Sequence, residues 1–344
     1  MRCDYKSLIW SVQSKVKDYI KDKIVLITGA GGSIGSELCR QIITFNPQCL
    51  VMLDQSEYGL FYIHKELSAK YKDKPLYTEV CDIKESIKLD KVFKEYKPHI
   101  IFHAAAYKYV TLMEFNKFEA IHNNTIGTKI LLELATHYNV ERFVFISTDK
   151  AVNPINYMGI SKALAEKVVQ CSDLPSCIVR FGNVLGSSGS VIPIFEQQIA
   201  RNEPLTVTHS DMKRFLMTIP DAVHLIIECG SLTNNGEVYM LDMGEQVSIM
   251  KLAEEMIKLS GKDLSINIVG IRPGEKLEES LLWDFEKEVN TEIPRVKLVR
   301  SMVSFDKEQF YKDVCKLEEY MINLEDRTDS QIDNIVKTYL QIRR

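Results

Sequence analysis

The stretch Ile24-Val25-Leu26-Ile27-Thr28-Gly29-Ala30-Gly31-Gly32-Ser33-Ile34-Gly35 joins a short apolar run to a glycine-rich turn, and a helical stretch follows it. Glycines 29, 32 and 35 let the backbone turn sharply and approach a pyrophosphate. Free N–H groups at the N-terminus of the following helix stabilise the negative charge of such a group. Because the turn lies between a strand and a helix, the stretch predicts a dinucleotide-binding unit rather than an ordinary glycine-rich turn.

Short apolar runs alternate with helical stretches from Lys23 onward. The runs cover residues 24–27, 50–53, 100–102, 143–146 and 177–179. Runs of this kind bounded by helices are typical of a parallel sheet that helices cover on both faces. The sequence therefore predicts an α/β protein with a Rossmann-type doubly wound parallel sheet.

The pattern loosens beyond about residue 183. Short strands are predicted at 205–207, 238–240 and 266–269, and helices at 219–230, 247–260 and 305–342. Residues 1–22 resemble a short amphipathic helix, which is interpreted as a packing or oligomerisation arm. We expect a smaller C-terminal substrate-binding part over the ends of the sheet, with C-terminal helices that cover surface.

The composition argues against several classes of protein. The chain has 344 residues, of which 45% are hydrophobic and 26% charged, and its net charge of −4 is unlike that of a basic nucleic-acid binder. Its eight cysteines include no C-x-x-C pair and no cluster with zinc-ligand spacing, so we expect reduced thiols, a cytoplasmic location and no metal site. No signal-peptide pattern is present, and no apolar run approaches the roughly 20 residues of a membrane span.

Two aspartates follow predicted strands on the dinucleotide side. Asp54 ends the second strand, 19 residues after Gly35, where a carboxylate would meet the ribose hydroxyls of an adenosine. A phosphate on that ribose would be repelled by roughly 4 kcal/mol at a separation of about 4 Å and an effective dielectric constant of about 20. We therefore expect NAD rather than NADP. Asp82 is placed to accept from the adenine amino group, and a helix N-cap or turn role is an equally good alternative.

A hydroxyl, a carboxylate and an amine arrive together after the fifth predicted strand, in Ser147-Thr148-Asp149-Lys150. This is the edge at which open α/β sheets place ligands. A charged loop start is the simpler alternative, but three such groups directly after an apolar strand would be unusual as surface decoration. The segment is therefore the best candidate for the catalytic residues.

Three motifs together resemble the extended short-chain dehydrogenase/reductases. They are the G-x-x-G-x-x-G turn, His103-Ala104-Ala105-Ala106 after the fourth strand and Asn124-Thr125-Ile126-Gly127-Thr128 on the next helix. In that superfamily a Y-x-x-x-K pair normally follows the fifth strand, with the tyrosine acting as a base. Here Met158 stands four residues before Lys162 and cannot exchange a proton, and Tyr157 is rotated about 100° around the helix.

The methionine matches one subgroup of these enzymes. The string S-T-D-K-A-V-N-P-I-N-Y-M-G-I-S-K, residues 147–162, is similar to UDP-N-acetylglucosamine 4,6-dehydratases in which methionine replaces the tyrosine. The resemblance spans about residues 22–285 and includes the segments at 103–108, 112–114, 180–191 and 272–276. Tyr109, Thr111 and Tyr157 depart from the family pattern, which leaves the finer substrate preference open.

The resemblance implies a redox-neutral dehydration of UDP-N-acetylglucosamine for bacterial glycan or glycoprotein sugar biosynthesis. Carbon 4 is oxidised by NAD, water leaves across carbons 5 and 6, and the hydride returns to carbon 6. Lys150 is expected to be the base and Asp149 the acid, which requires a partly neutral Lys150 and a partly protonated Asp149. Thr148 would bind the 4-hydroxyl group and Lys162 the nicotinamide ribose, and the acceptor of the 4-hydroxyl proton stays open. With Met158 in place of a phenol, retention at carbon 5 and a D-xylo 4-keto-6-deoxy product are expected.

The expected sites and segments are as follows. Cofactor contacts are expected from Gly29, Gly31, Gly32, Ser33, Ile34, Gly35, Asp54, Asp82, Ile83, Ala104, Ala105, Ala106, Asn124 and Lys162. Substrate contacts are expected from Tyr107, Lys108, Thr148, Asn183 and Val191, with Arg214 and Arg272 at the diphosphate. The segments are a helical arm at 1–22, an NAD-binding domain at 23–183 that also receives later segments, a mainly nucleotide-sugar-binding part at 184–300 and C-terminal helices at 301–344. A homo-oligomer is expected.

Two other functions remain open at this point. A nucleotide-sugar 4-epimerase or reductase would share the fold and the cofactor, although Asp149 and Lys150 together with the missing tyrosine favour dehydration. A catalytically silent NAD-binding regulator would also lack the tyrosine, but an intact Thr148-Asp149-Lys150 set argues against it.

Overall fold

The computed structural model describes residues 15–322 and 328–340 of the chain. Its strands are β1 (Ile24–Thr28), β2 (Cys49–Asp54), β3 (Leu76–Val80), β4 (Ile100–His103), β5 (Arg142–Ile146), β6 (Ser176–Arg180), β7 (Asn183–Leu185), β8 (Leu205–Val207), β9 (Lys213–Arg214), β10 (Leu216–Thr218), β11 (Glu237–Leu241), β12 (Val247–Ser248), β13 (Ile266–Ile268), β14 (Glu286–Asn290) and β15 (Val296–Ser301). Its helices are α1 (residues 15–20), α2 (Ser33–Ile42), α3 (Glu57–Lys70), α4 (Ser86–Tyr96), α5 (Val110–Glu114), α6 (Lys117–Ile121), α7 (Gly127–His137), α8 (Tyr157–Cys171), α9 (Val191–Ala200), α10 (Ile219–Ser231), α11 (Ile249–Ser260), α12 (Lys307–Ile322) and α13 (Asp329–Leu340).

A nine-stranded sheet lies at the centre, in the order β14-β15-β11-β6-β5-β4-β1-β2-β3. The seven strands from β3 to β11 are parallel, and β15 and β14 add antiparallel at one edge. The apolar runs predicted as strands are buried on both faces; Leu26, for example, is fully buried between Val51 and Ile101. The prediction of a Rossmann-type α/β fold is confirmed.

The sequence did not predict β14 and β15, the antiparallel strands at one edge of the sheet. β14 reads Glu-Lys-Glu-Val-Asn and is mostly exposed, so it carries no alternating apolar signal. It joins the sheet through β15, in which Val296 and Val299 are buried. Together with β11 they show that the sheet takes up strands from beyond residue 183. The segment boundaries at 22, 183 and 300 stay predictions.

A small second core lies in the C-terminal part of the chain. Phe195 and Leu205 are fully buried in it and pack with Met212 and Ile249. The strand pairs β8–β13 and β9–β12 tie this region together. They lie outside the central sheet, so this cluster stands apart from the main core.

The C-terminal helices α12 and α13 pack against α8. Phe310, Val314, Leu317 and Met321 of α12 are all buried. The predicted N-terminal arm is helical at residues 15–20, and its first 14 residues lie outside the described part of the chain.

Candidate active site

The glycine-rich turn packs closely against neighbouring backbone because its glycines lack side chains. Gly29 has φ +69°, and a Cβ atom there would lie 2.6 Å from the backbone nitrogen of Ala105. At Gly35 a Cβ atom would lie 1.9 Å from the Gly29 carbonyl oxygen, so the turn and α2 could not pack. The backbone N–H groups of the first turn of α2 thus face the carboxyl edge of the sheet, and the turn fits a pyrophosphate.

Asp54, the candidate for ribose binding, also stabilises the glycine-rich turn. Its Oδ2 accepts a hydrogen bond from the Gly31 N–H at 2.9 Å, and its Oδ1 accepts from the Ser56 N–H at 2.8 Å. The carboxylate therefore fixes the turn before any ligand binds. Ser33 is also engaged, because its hydroxyl oxygen accepts from the Ser188 N–H at 3.2 Å.

Asp82 takes up the turn role that the sequence left as an alternative. Its Oδ1 accepts from the Lys84 N–H at 2.9 Å, and its Oδ2 pairs with Lys84 Nζ at 2.8 Å. Ile83, the next residue, is buried and would meet a Cβ atom added at Gly127 at 2.8 Å. An adenine contact by Asp82 stays a prediction.

His103 organises the Ala-rich turn from a fully buried position. Thr128 donates its hydroxyl proton to the Asn124 carbonyl oxygen, so it accepts from His103 Nε2 at 2.9 Å. Nδ1 then accepts from the Thr28 hydroxyl at 2.7 Å. Burial, with the nearby Lys162 amine, holds the pKa of His103 well below 6.5 and keeps the ring neutral. The Thr28 oxygen also receives the Ala105 N–H at 3.4 Å, which holds residues 104–106 against the turn.

Asn124 acts as a buried clamp on the backbone of Tyr107. It lies in a π-helical turn, residues 122–126, that opens the helix between α6 and α7. Its Oδ1 accepts from the Tyr107 N–H at 2.8 Å, and its Nδ2 donates to the Tyr107 carbonyl at 3.0 Å. Nδ2 also donates to the Ser161 hydroxyl at 2.9 Å, which links the clamp to α8. A π-turn of this kind often marks a functional site.

Lys162 presents a buried amine at the end of β5. Its Nζ donates to the Ile146 carbonyl at 2.7 Å and lies 3.8 Å from the centroid of the Phe145 ring. Burial lowers the pKa of this amine to about 7. One of its donor positions is used by the carbonyl, so others remain for a ribose hydroxyl.

The catalytic candidates form one hydrogen-bonded cluster. Thr148 donates its hydroxyl proton to Asp149 Oδ1 at 2.9 Å. Lys150 Nζ donates to the same oxygen at 2.9 Å and to Asn183 Oδ1 at 2.9 Å. Asp149 is fully buried, and its Oδ2 has no hydrogen-bond partner among the described residues. The structure therefore brings together Thr148, Asp149, Lys150 and Asn183, which are separated by up to 35 positions in the sequence.

Glu279 joins this cluster and is a residue that the sequence reasoning missed. Its Oε1 lies 3.7 Å from Lys150 Nζ, and its side chain is only 3% exposed. Burial by itself lowers the pKa of Lys150, but the carboxylates of Asp149 and Glu279 outweigh that effect and raise it. Lys150 is thus held as an ammonium, whereas the proposed base role requires a partly neutral amine. The one signal for Glu279 in the sequence was its position three residues after Lys276. Lys276 ends the segment Arg272-Pro273-Gly274-Glu275-Lys276, which resembles the dehydratase family.

Met158 fills the position of the missing tyrosine with an apolar contact. It is 3% exposed and packs with Met113, Ala120 and Tyr107. Tyr157 lies elsewhere, as predicted: its backbone N–H donates to Glu114 Oε1 at 2.6 Å, and its ring lies 5.6 Å from Lys117 Nζ.

The remaining substrate candidates divide into two groups. Lys108 is exposed beside the Tyr109 ring, Val191 is the first residue of α9, and Arg272 is exposed. Arg214 is 9% exposed and donates to the Lys213 and Leu277 carbonyls at 2.7 and 3.2 Å. Its guanidinium therefore also has a structural role between β9 and the segment before Glu279. Diphosphate binding by either arginine stays a prediction.

The described part of the chain shows neither a cluster of metal ligands nor a helix that could span a membrane. Residues 15–322 and 328–340 contain no group of three or more His, Cys, Asp or Glu side chains that could hold a metal ion. Within the same ranges, every helix is too short or too polar to cross a membrane.

Comparison with known families and proteins places most of the chain in one family. The family described as "Polysaccharide biosynthesis protein" matches residues 25–301. The capsular polysaccharide biosynthesis protein CapD of Staphylococcus aureus is 49% identical over 272 residues, which are 76% of this chain and 45% of CapD. The probable polysaccharide biosynthesis protein EpsC of Bacillus subtilis is 45% identical over 84% of this chain and 50% of its own length. The chain thus spans about half the length of these two relatives.

A third relative and a solved structure match over more of their own length. A UDP-glucose 4-epimerase of Rickettsia rickettsii is 32% identical over 76% of this chain and 78% of the epimerase. The crystal structure of Pen from Bacillus thuringiensis is 30% identical, covers 87% of this chain and 98% of its own, and superposes with a TM-score of 0.73.

Proposed function

Since the chain belongs to the polysaccharide biosynthesis protein family, we propose that it is a nucleotide-sugar 4,6-dehydratase that acts on UDP-N-acetylglucosamine with NAD. The observation that carries this proposal is the Thr148-Asp149-Lys150 cluster around the buried Asp149, with methionine in place of a tyrosine at position 158. The cluster offers a hydroxyl, a carboxyl and an amine for proton transfer but no phenol. A dehydration uses all three groups, whereas a simple oxidation at carbon 4 has no use for an acid at carbon 6.

The cofactor region fits NAD. Gly29 and Gly35 let the turn between β1 and α2 pack closely, which suits it to a pyrophosphate, and Lys162 has donor capacity at the end of β5. The Asp54 carboxylate would repel a phosphate on the adenosine ribose. When bound, NAD supplies the hydride acceptor at carbon 4 and the hydride donor at carbon 6 of the sugar.

The contacts of Thr148 suggest an acceptor for the 4-hydroxyl proton. In the proposed sequence this proton passes to Thr148 as Thr148 passes its own to Asp149 Oδ1, which lies 2.9 Å away. Asp149 then carries a proton, which it later donates to the departing 6-hydroxyl group, so that water leaves. The proton taken up at the start is therefore released in the water molecule at the end.

The same proton transfer prepares Lys150 to act as a base. A protonated Asp149 no longer stabilises the Lys150 ammonium, so one of the two charges that raise the pKa of Lys150 is removed. Lys150, whose side chain is 17% exposed, can then release a proton to water. The neutral amine removes the hydrogen at carbon 5 and returns it to the same face, and it takes a proton back from water once Asp149 is ionised again. Configuration at carbon 5 is retained because Met158 offers no donor on another face.

A nucleotide-sugar 4-epimerase is the second candidate, and the 32% identity to an epimerase favours it. An epimerase exchanges one proton at the 4-hydroxyl group and returns the hydride to carbon 4. An epimerase transfers no proton at carbons 5 and 6, so it would not need the Asp149–Lys150 pair there.

The product distinguishes these functions. Purified protein incubated with UDP-N-acetylglucosamine and a catalytic amount of NAD should give a UDP-sugar lighter by one water, with no net NADH. Proton coupling constants of the fresh product should identify the D-xylo 4-keto-6-deoxy sugar. An unchanged mass with inverted carbon 4 would replace the dehydratase by the epimerase, and an L-arabino product at the earliest times would overturn the retention argument.

A further inference from the structure

Glu279 is a buried carboxylate that the proposed reaction does not yet use. Its side chain is 3% exposed, and among the described residues nothing donates a hydrogen bond to its Oε2. Burying an ionised carboxylate without hydrogen bonds is costly unless a cation balances it. The two cations within ion-pair distance are Lys150, 3.7 Å from Oε1, and Lys276, 3.7 Å from Oε2.

The backbone of Glu279 is held in place on both sides by one side chain. Gln246 Nε2 donates to the Glu279 carbonyl at 3.0 Å, and the Glu279 N–H donates to Gln246 Oε1 at 3.3 Å. Lys276 is itself anchored, since its Nζ donates to the Val152 carbonyl at 2.7 Å, close to the catalytic turn. The carboxylate is thus fixed against Lys150 rather than being a mobile surface group.

We propose that Glu279 is a positioning residue that acts through Lys150: its carboxylate stabilises the ammonium that forms on Lys150 in the step in which Asp149 carries a proton. The inference rests on the proposed function for the identity of that step. While Asp149 is neutral, Glu279 is the only carboxylate within ion-pair distance of Lys150 Nζ among the described residues. As Lys150 removes the hydrogen at carbon 5, positive charge develops on its amine, and Glu279 stabilises that charge.

Glu279 must also influence the protonation of Lys150 in the resting enzyme. The charged groups that face Lys150 are Asp149 and Glu279, which raise its pKa, and Arg214, which lowers it, while Lys276 interacts with the same set. A charge within 4 to 6 Å commonly moves a pKa by about one to three units. Without Glu279, the pKa of Lys150 should fall, and Lys150 should be neutral at lower pH.

The test compares Glu279→Gln with Glu278→Gln. Glu278 is the matched control because it is adjacent, exposed and paired with Lys213 at the surface. In Glu279→Gln the midpoint of the rising limb of kcat against pH should move down by about one pH unit or more. The high-pH plateau of kcat should fall about tenfold, because the forming ammonium is less stabilised. Glu278→Gln should keep the wild-type midpoint and plateau.

A merely structural role predicts a different pattern: kcat would fall at every pH with an unmoved midpoint, and that result would overturn the proposal. Glu279→Asp retains the charge and should keep a midpoint close to that of the wild type. Glu279→Asp also serves as the test variant if Glu279→Gln does not fold. In that case, a kcat midpoint that moves down by about one pH unit in Glu279→Asp, as expected for loss of the charge, would refute the inference. NAD affinity, measured in parallel, should be unchanged in a folded Glu279→Gln.

A direct titration separates this inference from the proposed function. With ¹³C-labelled lysine, the Lys150 signal is identified by its loss in Lys150→Met. Its titration midpoint should be lower in Glu279→Gln than in the wild type, whatever reaction the enzyme catalyses. An unmoved midpoint contradicts the role of Glu279, whereas a lowered midpoint in an enzyme that forms no 4-keto-6-deoxy product would contradict only the dehydratase assignment.

Discussion

At the scale of single residues, the contacts of Lys150 set the conditions under which it can act. Its amine donates to Asp149 and Asn183 and lies near Glu279, and the two carboxylates hold it as an ammonium. A resting ammonium is compatible with a base role only if an earlier step weakens that hold. In the proposed mechanism, protonation of Asp149 during oxidation at carbon 4 provides such a step, so that the oxidation precedes the elimination.

The acid and base assignments predict the behaviour of two variants. Asp149→Asn and Lys150→Met should each lower turnover by roughly 10² to 10⁴, the usual scale for a positioned acid or base. NAD binding should survive, because neither side chain contacts the glycine-rich turn in the hydrogen bonds described. Steady-state rates and cofactor titration check this. Near-normal rates in both variants would remove the pair from the elimination chemistry.

Replacing Lys162 should weaken cofactor binding but stabilise the cofactor-free protein. Lys162→Met should weaken NAD binding, since it removes the buried donor at the predicted ribose position. The folded protein resists protonation of Lys162, whose pKa is lowered to about 7 from its usual value near 10.5. Burial of the protonated amine therefore lowers the free energy of unfolding. This destabilisation is complete below pH 7 and disappears as the pH rises from about 7 to about 10.5.

Melting temperatures of the cofactor-free proteins check the sign of this effect. Relative to the wild type, Lys162→Met should be most stable at or below pH 7 and should lose that relative advantage between pH 7 and about 10. A difference in Tm that stays constant over this range would mean that Lys162 is not protonated and deprotonated as described.

At the scale of elements, a buried ion-pair network joins β6, α8 and β14. Arg180 of β6 is 2% exposed and contacts Glu166 of α8 at 2.7 Å and Glu286 of β14 at 2.6 Å. Glu166 also accepts from the hydroxyl of Ser147, the residue before Thr148, at 2.6 Å. The network therefore fixes the end of β5 and attaches the antiparallel edge of the sheet.

Removing the arginine should leave two buried carboxylates without their cation. Arg180→Met is expected to lower the free energy of unfolding by about 3 to 5 kcal/mol. Arg300→Met is the control: Arg300 is 59% exposed and pairs with Glu237, so its loss should cost at most about 1 kcal/mol. Urea denaturation of both variants decides the matter, and equal stabilities would show that the network contributes little.

The predicted elements differ in how strongly the sequence marked them. The parallel strands are continuous apolar runs, and the predicted strand at 205–207 coincides with β8 (Leu205–Val207). β14 is polar and exposed and owes its place to pairing with β15, which is a tertiary effect. The π-turn around Asn124 is likewise set by the packing of α6, α7 and α8, so no local signal could reveal it.

At the scale of the molecule, distant segments meet at one edge of the sheet. The sequence brought Thr148, Asp149, Lys150 and Asn183 under consideration because they lie in motifs that follow strands. Glu279 was not predicted as a site residue, because its partner Lys150 is 129 positions away and only the folded chain brings the two together. Long-range charge pairs of this kind set the protonation of the site, and local patterns do not contain them.

The C-terminal helices complete the molecule around α8. The side chain of Lys129 in α7 is 5% exposed. Its Nζ lies 2.8 Å from Glu133 Oε1 in the same helix and 2.8 Å from Glu318 Oε2 in α12. Phe310 and Val314 of α12 are fully buried in the main core. The C-terminal region is therefore an integral part of the core, and α12 covers the helix that carries Met158 and Lys162.

The central claim is that the hydride removed from carbon 4 returns to carbon 6 while water leaves. Its most direct test is the fate of deuterium placed at carbon 4 of UDP-N-acetylglucosamine. The account predicts a product lighter by one water, with the deuterium in its new methyl group at carbon 6 and no accumulation of reduced cofactor. Deuterium that returns to carbon 4 without loss of water, or that is recovered in stoichiometric reduced cofactor, would contradict it.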